Sequence, residues 1–75
     1  MVSEKVKAIL ALSGKRQIDL AAHFGMTGQS MNNKMNRDSW SAKDLVVAAE
    51  FAGCKLAFLL QDGQHIVIEN EVPKD

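Results

Sequence analysis

The residues with the most usable chemistry stand together, in Gln29-Ser30-Met31-Asn32-Asn33-Lys34-Met35-Asn36-Arg37. Two methionines four positions apart are separated by two amides and a base, with a further amide and a hydroxyl just before them. A helix over this stretch buries Met31 and Met35 and turns the polar groups outward. An amide side chain carries both a donor and an acceptor. Gln or Asn can therefore bond bidentately to an adenine edge, worth about 1–3 kcal/mol of discrimination per good pair. Lys34 and Arg37 suit phosphate oxygens. This surface fits an ordered polar array such as base edges in a DNA groove. Other chemistry is poorly supplied. His23, His65 and Cys54 lie on three different predicted elements without metal-ligand spacing. No glycine-rich phosphate loop and no acid pair of recognisable geometry is present. Neither an enzyme, a metal site nor a cofactor is expected.

The polar stretch needs elements to hold it. Gln17 to Phe24 reads as a short helix with Leu20, Ala21 and Phe24 inward. Ala21 is small where a neighbouring helix must cross closely. Gly25 sits at the bend, where a left-handed backbone carries no Cβ penalty. Thr27 is an N-cap for the next helix, and Met26 and Met31 stand at hydrophobic-staple spacing around it. Gly28 opens that helix, costs some helix propensity and allows close backbone approach. The helix fades around Asn36. Trp40, Ser41 and Leu45 repeat the staple, with Asp44 at the capping-box position. Trp40 is thus a core anchor rather than a binding residue. A fourth helix buries Leu45, Ala48, Ala49 and Ala52 and stops at Gly53. Before all of these, Ser3 caps a first helix with Val6, Ile9 and Leu10 on one face, ended by Gly14. Lys15 and Arg16 form an exposed basic link.

After Gly53 the period changes. Asp62-Gly63 between two apolar runs signals a β-hairpin with a type I′ turn. A two-residue loop there pairs Leu60 with His65, Leu59 with Ile66, Phe58 with Val67, Ala57 with Ile68 and Leu56 with Glu69. Both faces are then substantially apolar. One can cover the helices, while the other needs a second protein surface. A lone two-stranded ribbon is marginal in water. Phe58, Leu59, Leu60, Ile66, Val67 and Ile68 are therefore expected to form a dimer interface, with folding back onto the helices as the alternative. Cys54 reads as a buried small hydrophobe. Residues 1–53 form the helical domain, 54–69 the hairpin and 70–75 a frayed tail.

With 75 residues, the chain is one domain whose own core supplies only about 3–5 kcal/mol net. A second copy would help. The apolar fraction of 47% is that of a globular protein. A single cysteine forms no internal disulfide, no run approaches a membrane span, and the N-terminus lacks a signal-peptide pattern. A soluble cytoplasmic protein is expected. Net charge is zero but uneven. Lys15 to Lys43 holds five bases and two acids, while Asp44 onward holds six acids and two bases. A basic surface on a neutral protein is thus possible.

Taken together, Gln17-Ile-Asp-Leu-Ala through Gly25-Met-Thr-Gly-Gln-Ser-Met31 resembles the helix-turn-helix of the lambda-repressor-like family, the Cro/Xre type. The run Gln29 to Arg37 and Trp40-Ser41 resembles small phage- and mobile-element-associated members. The likeness covers roughly residues 3 to 53. It implies a mainly α fold: four helices in the lambda-repressor-like arrangement, followed here by a C-terminal β-hairpin where relatives have a fifth helix. A second departure is Lys34, where relatives often carry an apolar residue.

By that resemblance, Gln17 holds a DNA phosphate. Gly28, Gln29 and Asn33 face bases, and Thr27 and Asn32 lie close to bases or phosphates. The expected base readers are thus Gln29, Asn33, Asn32 and the backbone at Gly28. The expected phosphate set is Gln17, Thr27, Ser30, Lys34, Arg37 and Arg16. The implied function is a regulator of transcription, a repressor binding an inverted repeat of double-stranded DNA as a homodimer. The competing reading is an antitoxin-like or adaptor protein whose hairpin binds another chain. RNA reading would need stacking aromatics, whereas Phe24, Phe51 and Phe58 read as buried.

Overall fold

The computed structural model describes residues 1–69, so the expected tail at 70–75 lies outside the described residues. The order is α1 (Val2–Ser13), α2 (Gln17–His23), α3 (Gly28–Arg37), α4 (Ala42–Phe51), β1 (Leu56–Leu59) and β2 (His65–Ile68). The fold is mainly α with a C-terminal antiparallel hairpin, as the sequence leads one to expect.

The α2–α3 bend closes by local bonding. Gly25 takes φ 74°, and its N–H donates to Ala22 O at 3.0 Å. Met26 N–H reaches back to Ala21 O at 2.8 Å. This paired closure satisfies the last carbonyls of α2 and aims the chain into α3. Thr27 then caps α3, and Ser41 with Asp44 forms the capping box of α4. Leu20 and Met31 are fully buried, and Val6, Leu10, Ala21, Met35 and Ala48 complete the central cluster. Phe24 meets Trp40 edge to face at 6.3 Å, within the partly buried shell.

Several expectations need correcting. Ser3 does not cap α1, because it lies inside the helix and is buried. Its hydroxyl donates to Met35 O at 2.8 Å and accepts from Trp40 Nε1 at 2.9 Å. The cap comes from another element: Asp38 accepts from Ser3 N at 2.6 Å and from Val2 N at 3.4 Å. Ile9 is more than a third exposed. On α4 the buried residues are Val46, Ala48 and Ala49, with Leu45 and Ala52 only half-buried. Cys54 is exposed, since it stands in the link after Gly53 rather than within the strand.

The hairpin register is also one residue off the expectation. Leu56 pairs with Ile68, Ala57 with Val67, Phe58 with Ile66 and Leu59 with His65. A type I′ turn needs positive φ at both Asp62 and Gly63, and only Gly63 has it, at 90°. Gly63 N–H bonds to Leu60 O at 3.0 Å and Leu60 N–H to Gln64 O at 2.9 Å, giving a three-residue loop with a glycine bulge. Asp62 stabilises it by accepting from Gln64 N at 3.1 Å. The slip shifts β2 by one residue against β1, so Phe58 shares a face with Ile66 and Leu59 with His65. Phe58 is 64% exposed, not buried.

Candidate nucleic-acid interface

The exposed face of α3 is held from behind. Met31 and Met35 lie in the core, so rotation of the helix would cost their burial. At its start, Thr27 Oγ1 accepts from Ser30 N at 3.1 Å, and the two hydroxyls bond each other at 3.1 Å. One turn on, Gln29 Nε2 donates to Asn33 Oδ1 at 3.2 Å. Both amides are exposed, and the bond holds them side by side one helical turn apart. The carbonyl of Gln29 and the amino group of Asn33 are left facing solvent. Asn32 is exposed beside them.

The two bases of α3 are in different situations. Lys34 is drawn inward, its side chain only 13% exposed. Its ammonium donates to Ser39 O and to Asp44 Oδ2, both at 2.7 Å, and lies 5.0 Å from the Trp40 ring centroid. Two of its three donors are spent within the protein. The polar head is thus satisfied within the protein while the stem packs. Arg37 is exposed and forms no ion pair among the described residues. Ser30, Asn33, Lys34, Arg37 and Ser39 line one shallow depression with Met26, so the polar end of α3 forms a continuous surface.

On α2, Gln17 is the first helical residue and half-buried. Arg16 is exposed and grips Asp19 with Nε and Nη2 at 2.9 and 3.2 Å. His23 lies away from this face: its ring is 5.0 Å from Phe51 on α4, which Lys15 overlies at 5.5 Å. Among the described residues no three His, Cys, Asp or Glu side chains group as a metal site.

The two acids next to α3 are both engaged. The Asp38 carboxylate is engaged by the backbone of Ser3, and that bond holds its pKa below the ordinary value. Burial pushes the Asp44 carboxyl up, but bonds from Lys34 and from Ser41 N outweigh it and leave the pKa low. The Asp44 charge is paired with Lys34, Asp38 is held by neutral backbone N–H groups, and Arg37 forms no ion pair among the described residues.

Two features of the surface escaped the sequence. Asp44 reads locally as a capping residue, and no spacing signals that it also takes Lys34 from ten positions away. Ile18 reads as an ordinary helix residue, yet it is 53% exposed and leans on Gly28. A Cβ at Gly28 would stand 2.8 Å from Ile18 Cδ1. The close approach permitted by Gly28 is thus an approach to α2.

At the far end, Phe58, Leu59, Ile66 and Val67 are 64, 72, 57 and 41% exposed, Leu60 is at the edge of exposure, and Ile68 is half-buried. Leu56 closes an apolar groove between α1 and α4, lined by Val2, Ile9, Leu45 and Ala48.

Residues 6–65 match the family model of the bacteriophage CI repressor helix-turn-helix domain, which takes in α2, α3 and α4 whole. No curated protein and no solved structure matches the chain.

Proposed function

The chain belongs to the bacteriophage CI repressor helix-turn-helix family, whose members are DNA-binding regulators, and we propose that it is a repressor that binds an inverted repeat as a homodimer. Two copies of α3 enter successive major grooves, with half-sites about 34 Å apart. Repression follows from excluding polymerase or competing proteins from the site. The observation that carries this reading is the Gln29–Asn33 pair, a pre-set amide array on a helix locked by Met31 and Met35.

Gln29, Asn33 and Asn32 read bases, and Gly28 holds a base-facing position to which it brings no side chain of its own. Gln17, Thr27, Ser30, Arg37 and Arg16 hold phosphates. The remaining donor of Lys34 is the weakest member of that set. Three side chains per copy read only a few base pairs, so specificity needs doubling. The exposure of Phe58, Leu59, Leu60, Ile66 and Val67 supports dimerisation through the hairpin, with half-buried Ile68 at its edge. The same exposure favours a second reading, in which the hairpin binds a different chain. No helix among the described residues is long and apolar enough to cross a membrane, and the cytoplasm is the proposed compartment.

Gel-shift selection on random duplexes is expected to yield an inverted repeat. Failure to enrich any sequence at low salt defeats the proposal. Light scattering separates the two uses of the hairpin: a dimer mass supports the repressor, and a clean monomer supports binding to another chain.

A further inference from the structure

Gly28 leaves the recognition helix without a side chain at its first position. The first residues of such a helix are those nearest the base edges. The space is nevertheless filled. Ile18 Cδ1 lies within 2.8 Å of the point where a Cβ of residue 28 would stand, and Ile18 is 53% exposed. A branched apolar tip from α2 thus occupies the place of the first side chain of α3, next to Gln29. The core and the hairpin make no use of it. The residues next to the pair in sequence, Gln17 before Ile18 and Gln29 after Gly28, are polar.

We propose that Ile18 is a base-reading residue that recognises the C5-methyl group of a thymine through the gap left by Gly28. This rests on the DNA-binding reading above. Thymine alone among the four bases presents a methyl group in the major groove, and apolar side chains contact it there. Burying one methyl-sized group contributes about 0.8 kcal/mol, or about a fourfold change in affinity. In a repeat with two half-sites the effect is about 16-fold. Ile18 and the amides then divide the work. The amides read hydrogen-bonding edges, and Ile18 reads the one apolar feature of the groove. Gly28 is required for this because a Cβ would push the isoleucine tip aside. Its φ is not in the left-handed region, so an alanine there is compatible with the helix.

The test uses the selected duplex with each thymine replaced in turn by uracil, which removes only the methyl group. Native protein is expected to lose about fourfold at one thymine per half-site. Ile18→Ala is expected to bind the thymine duplex more weakly and to be indifferent to uracil there. Gly28→Ala is expected to lose the same thymine preference while its helical circular dichroism and Tm are kept or raised. If native protein distinguishes thymine from uracil nowhere, or if the preference survives in Ile18→Ala or Gly28→Ala, the role of Ile18 is overturned while the DNA-binding reading stands. If native protein enriches no duplex, both fall together.

Discussion

Lys34 Nζ donates to Asp44 Oδ2 across 2.7 Å, and the two side chains keep only 13 and 27% of their exposure. The same carboxylate oxygen accepts from Ser41 N at 3.0 Å, so one acid caps α4 and anchors the end of α3. The pair therefore fixes the angle between the reading helix and its support. Asp44→Ala is expected to cost about 2 kcal/mol in urea unfolding, combining a lost cap with an unpaired, largely buried ammonium. Lys34→Met keeps the stem and removes the charge, and it should cost less than Asp44→Ala. The reverse order would mean that the pair is not what holds α3 to α4.

The same geometry separates the two bases of α3 in DNA binding. Arg37→Ala is expected to weaken all duplexes alike and to lower the slope of log K against log salt by about 0.9. Lys34→Ala is expected to move the urea midpoint and to leave that slope nearly unchanged. A salt titration of both variants decides the matter. A slope that drops for Lys34→Ala but not for Arg37→Ala would reverse the assignment.

Acid should loosen the fold at two places. Asp38 has its pKa lowered by the backbone bond from Ser3, and Asp44 is lowered by Lys34 and Ser41 against the opposing effect of burial. A carboxylate whose folded pKa lies below its unfolded one stabilises the fold at pH above the unfolded value. The ordinary aspartate value is 3.8. This stabilisation is therefore complete at neutral pH and is lost as pH falls below about 4. Asp38→Asn should lower Tm at pH 7 and flatten the acid limb of the stability curve. An unchanged limb would show that the bond to Ser3 is not formed in solution.

The hairpin gives a fourth expectation. Phe58→Lys puts a charge on a face shared with Ile66. Sedimentation should show the dimer weakened by at least about tenfold, with helical content intact. Full retention of the dimer would exclude this face.

What was legible in the sequence was what is decided locally. Thr27 and Ser41 cap because a side-chain oxygen meets an N–H three residues on, and Asp44 completes the box by accepting from Ser41 N three residues back. Gly25 turns because its own backbone permits it. What was hidden depends on distant partners. Ser3 looks like a cap, yet the cap of α1 is Asp38, from the end of α3. Asp38 can serve because it closes α3 in the left-handed conformation, φ 56°, which Asp adopts more readily than most residues. The hairpin shows how one dihedral propagates. Asp62-Gly63 announces a hairpin correctly, but Asp62 keeps a negative φ, the loop gains a residue, and the two strands slip against each other by one. Ile18 was invisible because its meaning lies in what Gly28 lacks.

The central claim is that the amide face of α3 reads bases. It is tested most directly by parallel selections on random duplexes with native protein and with Gln29→Ala. Native protein should return an inverted repeat. The variant should return the same repeat with preference relaxed at one position in each half-site, a loss of about 1–3 kcal/mol of discrimination there. Identical consensus sequences from both proteins, or no enrichment by native protein at low salt, would contradict it.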